Sequence, residues 1–499
     1  MSEWRSAAHD AIQHSPLRWV FFSRYTGLPY IVGMLFAALL AVGSGWVIAR
    51  LGPLPILALL MGVAYLSITL RSLELAYWGV IGIVTLLPFA SLPVRIGFTP
   101  TFLDLALLVL FGIWVLPLAL GREQRFVVTP VGGPVLAFML LAIGSFVFGL
   151  SHSALTSYLA RHFAEVLLSI ALFFLVVNTV RDDARLERLT RVLFLMASAA
   201  ALLGIVLYVL PDELSIRLLS ALGRVGYPTG AGVLRFIRDD PELMQRATST
   251  SVDPNVLGSL LNVTAAFTVP QLFTARPFIK RWLLLPLLGV VGLCLGLTIS
   301  RGSMFGFAIA VVALGVLRYR KLLPLLLLAL LLVLVLPWTQ GYVAHFIEGL
   351  QLRDLSTQMR MGEYTDALTL IARYPILGVG FAASPDIDTY IGVANLYLLI
   401  AQEMGLVGLT AFLVTMVVIF VRFWRRRARV VVDSRLEPLW YGLHVALLGG
   451  LAGGMLDHYF FSLDFHHSVT LFWLLVGLTT ASTQLVDAMH TDSVEMLVT

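Results

Sequence analysis

Charge is scarce in this chain: Asp, Glu, Lys and Arg together make up 13% of 499 residues, while 59% are hydrophobic. No soluble domain holds that balance, because too little polar surface is left for water. Cysteine occurs once, as Cys294 inside an apolar run, so an intrachain disulfide is excluded. Lysine occurs only at Lys280 and Lys321, which leaves arginine to carry the positive charge. The planar guanidinium suits bidentate phosphate binding, although a GC-rich genome produces the same bias. The apolar–polar alternation of a β-barrel is missing, as is a Gly-rich phosphate loop of the Walker type. What remains are continuous Leu-, Val- and Ala-rich runs near bilayer length. These imply an all-α, polytopic helical membrane protein. The net charge of +5 belongs to the loops between runs and implies no nucleic-acid surface.

Length and hydropathy predict about fourteen spans, near 27–49, 52–70, 73–91, 102–120, 131–150, 162–180, 190–210, 255–274, 282–299, 303–317, 322–338, 405–423, 438–456 and 468–486. The first follows Arg5, Arg18 and Arg24 and is too long for a signal-peptide core. Segment 391–404 is a half-helix or the start of the next span. Four basic loops fix the orientation. They hold Arg181, Arg185, Arg188 and Arg191; Arg276, Lys280 and Arg281; Arg318, Arg320 and Lys321; and Arg422, Arg425, Arg426, Arg427 and Arg429. All fall on one side with Arg122, Arg125 and both termini, and the positive-inside rule makes that side cytoplasmic. Two long loops lie opposite, outside the cytoplasm, and their aromatic content predicts structured caps. The organisation read from this is N-terminal spans over 1–210, an external loop over 211–254, spans over 255–338, a second external loop with an amphipathic helix and half-helix over 339–404, and C-terminal spans with a tail over 405–499.

The chemistry gathers on the external face. Arg301 lies in Ser300-Arg301-Gly302-Ser303, a tight turn between two apolar runs. A guanidinium beside hydrocarbon is costly and is normally kept for a ligand, and an anionic lipid head group, above all a pyrophosphate, fits it. Arg246 precedes Asp253-Pro254-Asn255, which breaks the chain and caps the next span. Arg360 and Glu363 sit one turn apart in a surface helix with Tyr364, and Tyr374-Pro375 ends it before Gly378 and Gly380. Asn395, Gln402 and Glu403 follow, with Asn395 and Glu403 on one face of an apolar helix. Such groups serve interhelical hydrogen bonds or a wet cavity. The last outer turn holds Asp457, His458, Asp464, His466 and His467. His and Asp together can make an acid–base pair or a metal site, but the ligand spacing matches no recognised metal motif, and a solvated turn is expected for most of it. Asp104 reads as a helix N-terminal charge.

Together these segments resemble the O-antigen ligase and O-antigen polymerase superfamily of bacterial membrane glycosyltransferases, over roughly residues 240–425. The resemblance is carried by Arg246 with Asp253-Pro254-Asn255, by Ser300-Arg301-Gly302, by Arg360 and Tyr364 with Pro375-Ile376-Leu377-Gly378-Val379-Gly380, by Asn395-Leu396-Tyr397-Leu398, and by Glu403-Met404-Gly405. Tyr364 stands where a Trp is common. Ala394 stands where the ligases hold a His thought to activate the acceptor, which favours a polymerase over a ligase. The resemblance implies a GT-C-like fold in the bacterial inner membrane, an extracytoplasmic active site, and metal- and cofactor-free transfer of glycan from an undecaprenyl-diphosphate-linked donor to an acceptor glycan. It also implies encounters with membrane lipids, a chain-length regulator and a flippase. Arg246, Arg301 and Arg360 would stabilise the departing diphosphate. Asp253 or His458 would take the acceptor proton, and Glu363, Tyr364, Asn395 and Glu403 would bind substrate. A lipid-glycan flippase is the alternative of another class, though it calls for polar groups along the membrane interior rather than on one face.

Overall fold

The computed structural model describes residues 28–51, 72–92, 98–121, 126–337, 355–381, 392–431 and 434–498, with scattered positions in 56–69 and 340–351. Most of the expected span at 52–70, the residues Arg5, Arg18, Arg24, Arg122 and Arg125, and part of the second long loop lie outside the described residues. The chain is 76% helix and 1% strand. It divides into two compact units, residues 1–68 and 69–499. The described helix of the first is α1 (Leu28–Leu51).

The second unit opens with α2 (Leu73–Leu86), α3 (Phe102–Ala119), α4 (Gly132–Gly149), α5 (Ser157–Thr179) and α6 (Asp183–Val209). The first long loop follows, and it is structured. It contains α7 (Asp212–Ala221) and a short antiparallel ribbon of β1 (Arg235–Phe236) and β2 (Gln245–Arg246). A small core of Leu207, Leu219, Val233 and Leu234 holds it against the end of α6. Then come α8 (Pro254–Thr268), α9 (Arg281–Leu297), α10 (Arg301–Leu317), α11 (Leu322–Val335), α12 (Leu355–Arg373), α13 (Leu396–Arg426), α14 (Leu436–Gly453) and α15 (His466–Val498). Every expected span except 52–70 falls on a helix. Among the described residues six segments are long and apolar enough to cross a membrane: α3 to α6, 396–429 and 463–489. The apolar helices α2, α9, α10 and α11 are shorter, at 14 to 17 residues.

Two packing arrangements position the end of the bundle where the two long loops meet. In the first, α8, α10 and α14 approach closely through small residues. A Cβ on Gly306 of α10 would meet the Gly449 carbonyl of α14 at 2.3 Å. Asn262 of α8 donates to that same carbonyl at 3.2 Å. In hydrocarbon, helices associate by such backbone approach and by interhelical hydrogen bonds of about 0.6 kcal/mol each. In the second, α15 is buried through 94% of its span. It satisfies its polar stripe inside the protein: Thr470 meets Ser169 of α5 at 2.8 Å, and Trp440 of α14 donates to Thr483 at 3.2 Å.

Segment 391–404 is both things the sequence allowed. Residues 396–404 form a short helix that runs into α13 across a break at Gly405, whose φ is 68°. The Gly378-Val379-Gly380 segment is clamped into that break. Val379 N donates to Gln402 O and Gly380 N to Glu403 O, each at 2.9 Å, and Leu406 N donates to Pro375 O at 2.8 Å. A Cβ on Gly380 would lie 2.6 Å from Gly149 Cα. These glycines are therefore required by close backbone approach.

Candidate active site

Three helix N-termini meet on one spot beside the end of α14. The N-terminus of α8 is capped by Asp253, whose Oδ1 accepts from Asn255 N at 2.7 Å and Val256 N at 3.3 Å. That of α10 is capped by Ser300, and a Cβ on Gly258 of α8 would touch both Ser300 and Ser303. That of α13 is capped by Asn395, which accepts from Tyr397 N and Leu398 N. Asn395 Nδ2 also donates to Met455 O at 2.8 Å, and Leu396 N donates to the carbonyls of Gly454 and Asp457. Asn395 is thus a cap tied by hydrogen bonds to the turn after α14. The caps occupy the first N–H groups, so it is the aligned peptide dipoles of the three helices that favour an anion at this convergence.

The three arginines are grouped here. Arg246 is not paired with the acidic residues of its own loop but turns inward. Its Nε donates to Thr298 O at 2.9 Å and its Nη2 to Asn255 Oδ1 at 2.6 Å. Arg360 Nη2 lies 3.7 Å from Asp457 Oδ1. Arg301 occupies the first turn of α10, and the following residue, Gly302, packs on Asp457, where a Cβ would lie 2.5 Å from Oδ2. Asp457 feels all three guanidiniums. Burial pushes its carboxyl up to about 7, Asp253 adds to that, and Arg360, Arg246 and Arg301 oppose it. Burial also lowers the Arg246 guanidinium, against the pull of Asp253, Tyr459 and Asp457. Burial brings His458 down to about 4 and raises the Tyr459 hydroxyl, which bonds to Asn255 and Asp253. The two turns leading into α8 and α10 carry β-branched residues in left-handed backbone, Val252 at φ 61° and Ile299 at φ 51°. Each costs of order 1–3 kcal/mol, and strain of this kind persists where a site requires it.

Of the remaining candidates, Glu363 and Tyr364 reach the same spot from α12. Glu363 Oε2 accepts from Ala394 N at 3.0 Å, and the Tyr364 hydroxyl donates to Ala394 O at 3.4 Å. Burial raises that hydroxyl's pKa, and the charge of Arg360 lowers it. Glu403 is seated elsewhere, buried behind the Gly405 break, with its carbonyl accepting from Ser145 Oγ of α4 at 2.5 Å. The last outer turn is a correction. Asp457, His466 and His467 are buried rather than solvated, because aromatic rings cover the turn: Phe465 packs edge-on against Tyr459 at 4.6 Å and Phe89 against His467 at 4.7 Å. Asp457 and Tyr459 are the site residues that sequence reasoning missed. The only available signal was a carboxylate directly after the Gly-rich end of a span.

Residues 284–413 match the family model described as O-Antigen ligase. The match covers about a quarter of the chain and supports a likeness to the O-antigen ligase superfamily; together with the apolar helices it fits a transmembrane glycosyltransferase of polysaccharide biosynthesis. No curated protein matches the chain. Arg301, Arg360, Glu363, Tyr364, Asn395 and Glu403 fall inside the matched segment. Arg246, Asp253, Asp457 and His458 fall outside it and join it through the fold.

Proposed function

We propose that the chain is a polysaccharide polymerase. It transfers glycan from an undecaprenyl-diphosphate-linked donor to an acceptor sugar hydroxyl at the outer face of the bacterial inner membrane. The observation that supports this reading best is the convergence of Arg246, Arg301 and Arg360 on Asp457 at three helix N-termini. In the reaction, the acceptor oxygen bonds to the anomeric carbon as the bond from that carbon to the phosphate oxygen breaks. The diphosphate leaves with the electron pair. Fixed guanidiniums and helix N-termini in a partly buried cleft stabilise the developing charge, so no metal is needed at the diphosphate. The hydroxyl proton passes to a base, and Asp457 is our choice. Asp253 spends an oxygen on its cap, and His458 is a weak base once burial lowers it. Glu363 and Tyr364 hold the backbone of Ala394 and so fix the acceptor side.

The residue at that position also bears on the acceptor. Ala394 offers no imidazole, which favours a growing lipid-linked glycan over the acceptor of a ligase. Ligase-type transfer to a lipid or protein acceptor is the second reading, supported by the description of the matching family. The test is transfer in detergent with a lipid-diphosphate glycan donor. The wild type makes long lipid-linked chains, and Arg301→Ala, inserted normally, loses about 10²–10³ in rate. Wild-type-length polymer from Arg301→Ala refutes the role of Arg301. A capped acceptor without chain growth supports the ligase, and the absence of any transfer supports a flippase.

A further inference from the structure

A second cavity of about 540 Å³ opens near the arginine site, with Phe465 standing between them through its ring contacts to Tyr459 and Phe89. Its lining includes Arg161, His162, Glu165, Asp464 and His466. None of these has a role in the transfer proposed above. The cluster at its inner end is formed by three helices: Asp104 from the first turn of α3, Glu165 from α5 and His466 from the start of α15.

The oxygens of the two carboxylates are divided by function. Asp104 Oδ2 closes a capping box by accepting from Thr101 N at 2.7 Å, and Arg161 Nη2 lies 3.6 Å from the same oxygen. That cap is the helix N-terminal role expected from the sequence. Glu165 Oε1 is held by Arg161 Nε at 2.7 Å. The other two oxygens face His466: its Nδ1 lies 4.0 Å from Asp104 Oδ1 and 3.7 Å from Glu165 Oε2. Both separations exceed a hydrogen bond. Asp104 Oδ1 is buried without a hydrogen-bond partner, and so is Nε2 of His466, whose side chain is only 7% exposed. Asp104 Oδ1 and the His466 imidazole are poorly satisfied at this spacing, while Glu165 Oε2 meets His162 Nδ1 at 3.1 Å.

They do satisfy an ion. The three ligand atoms lie within 4.8 Å of one another. A point between atoms so spaced is within about 2.5 Å of each, close to the ~2.0–2.2 Å that nitrogen and carboxylate oxygen keep from a divalent transition metal. We propose that Asp104, Glu165 and His466 form a binding site for a divalent cation of the Mn²⁺ or Zn²⁺ class, tying α3, α5 and α15 together at the cavity. An imidazole in the set favours these ions over Mg²⁺ and Ca²⁺, which prefer all-oxygen sites. Arg161 orients both carboxylates through their outer oxygens. His162, whose Nδ1 lies 3.1 Å from Glu165 Oε2 and from Leu463 O, gives up the first contact when the ion arrives. The remaining coordination positions open on the cavity that Glu165 and His466 line.

The experiment uses the full-length, tag-free protein in detergent, stripped with chelator and titrated with Mn²⁺ under electron paramagnetic resonance. The expected result is one saturable equivalent per chain, spin-echo modulation from one coordinated imidazole nitrogen, and a rise in melting temperature on addition of Mn²⁺ or Zn²⁺. Asp104→Asn and His466→Gln each weaken binding at least tenfold, whereas Arg301→Ala binds the ion as the wild type does. Absence of saturable binding below millimolar metal overturns the proposal. So does bound Mn²⁺ without an imidazole signal, a reading that needs no variant to fold.

Discussion

Arg301 stands where the peptide dipole opposes a cation, in the first turn of α10. Local helix chemistry disfavours it there, which is why its presence argues for an anionic ligand. Asp457 is the counterpart, a carboxylate that holds the guanidiniums before substrate arrives. Its pH behaviour follows from burial. With the carboxyl moved from 3.8 to about 7, the folded state binds more protons than the unfolded state between those values. The contribution of Asp457 to stability therefore falls as pH rises from about 4 to about 7. Asp457→Asn should melt higher than the wild type at pH 8, with the difference shrinking towards pH 5. The same substitution removes the proposed base, so the rise in transfer rate through about pH 7 expected of the wild type should vanish. A variant that keeps this limb of the pH–rate profile has a different base. Gly302→Ala places a Cβ 2.5 Å from Asp457 Oδ2. It should depress transfer at least tenfold while leaving the helical content by circular dichroism unchanged.

At the scale of elements, the sequence was legible where periodicity and breakers act alone. Length and hydropathy located the helices, Asp253-Pro254-Asn255 announced a cap, and Tyr374-Pro375 ended α12 at Arg373. The glycines after Pro375 read as a sharp turn or a close backbone approach, and the partners of that approach are tertiary: α4 and the break in α13. That difference can be measured. Gly405→Ala adds a Cβ 2.1 Å from Ile376 O at a φ of 68° and should cost roughly 2–4 kcal/mol, seen as a large fall in melting temperature. Gly362, in the middle of α12 with open space around it, should gain up to about 1 kcal/mol on replacement by Ala. Equal effects from the two substitutions would contradict this account of α13.

For the whole molecule, the clustering of Arg246, Arg301 and Arg360 could be anticipated only through orientation: charge asymmetry sent all three to one face. Asp457 was named in the last turn but given no role at the arginines, because nothing in a linear pattern shows that α8, α10 and α14 approach through Gly306 and Gly449 and carry the end of α14 beneath them. The burial of the histidines in the last turn was hidden for the same reason, since the rings that cover them come from residues as distant as Phe89. The orientation itself is open to test. In a chain with Cys294 replaced by Ala, a cysteine at Gly230 should react with an impermeant maleimide from outside the cell, and one at Arg427 only after permeabilisation; the reverse pattern inverts the topology. The central claim is tested most directly by a structure of the protein with an undecaprenyl-diphosphate glycan bound. The account predicts the diphosphate within about 3 Å of the Arg246, Arg301 and Arg360 guanidiniums, displacing Asp457 from Arg360. A diphosphate seated away from all three contradicts it.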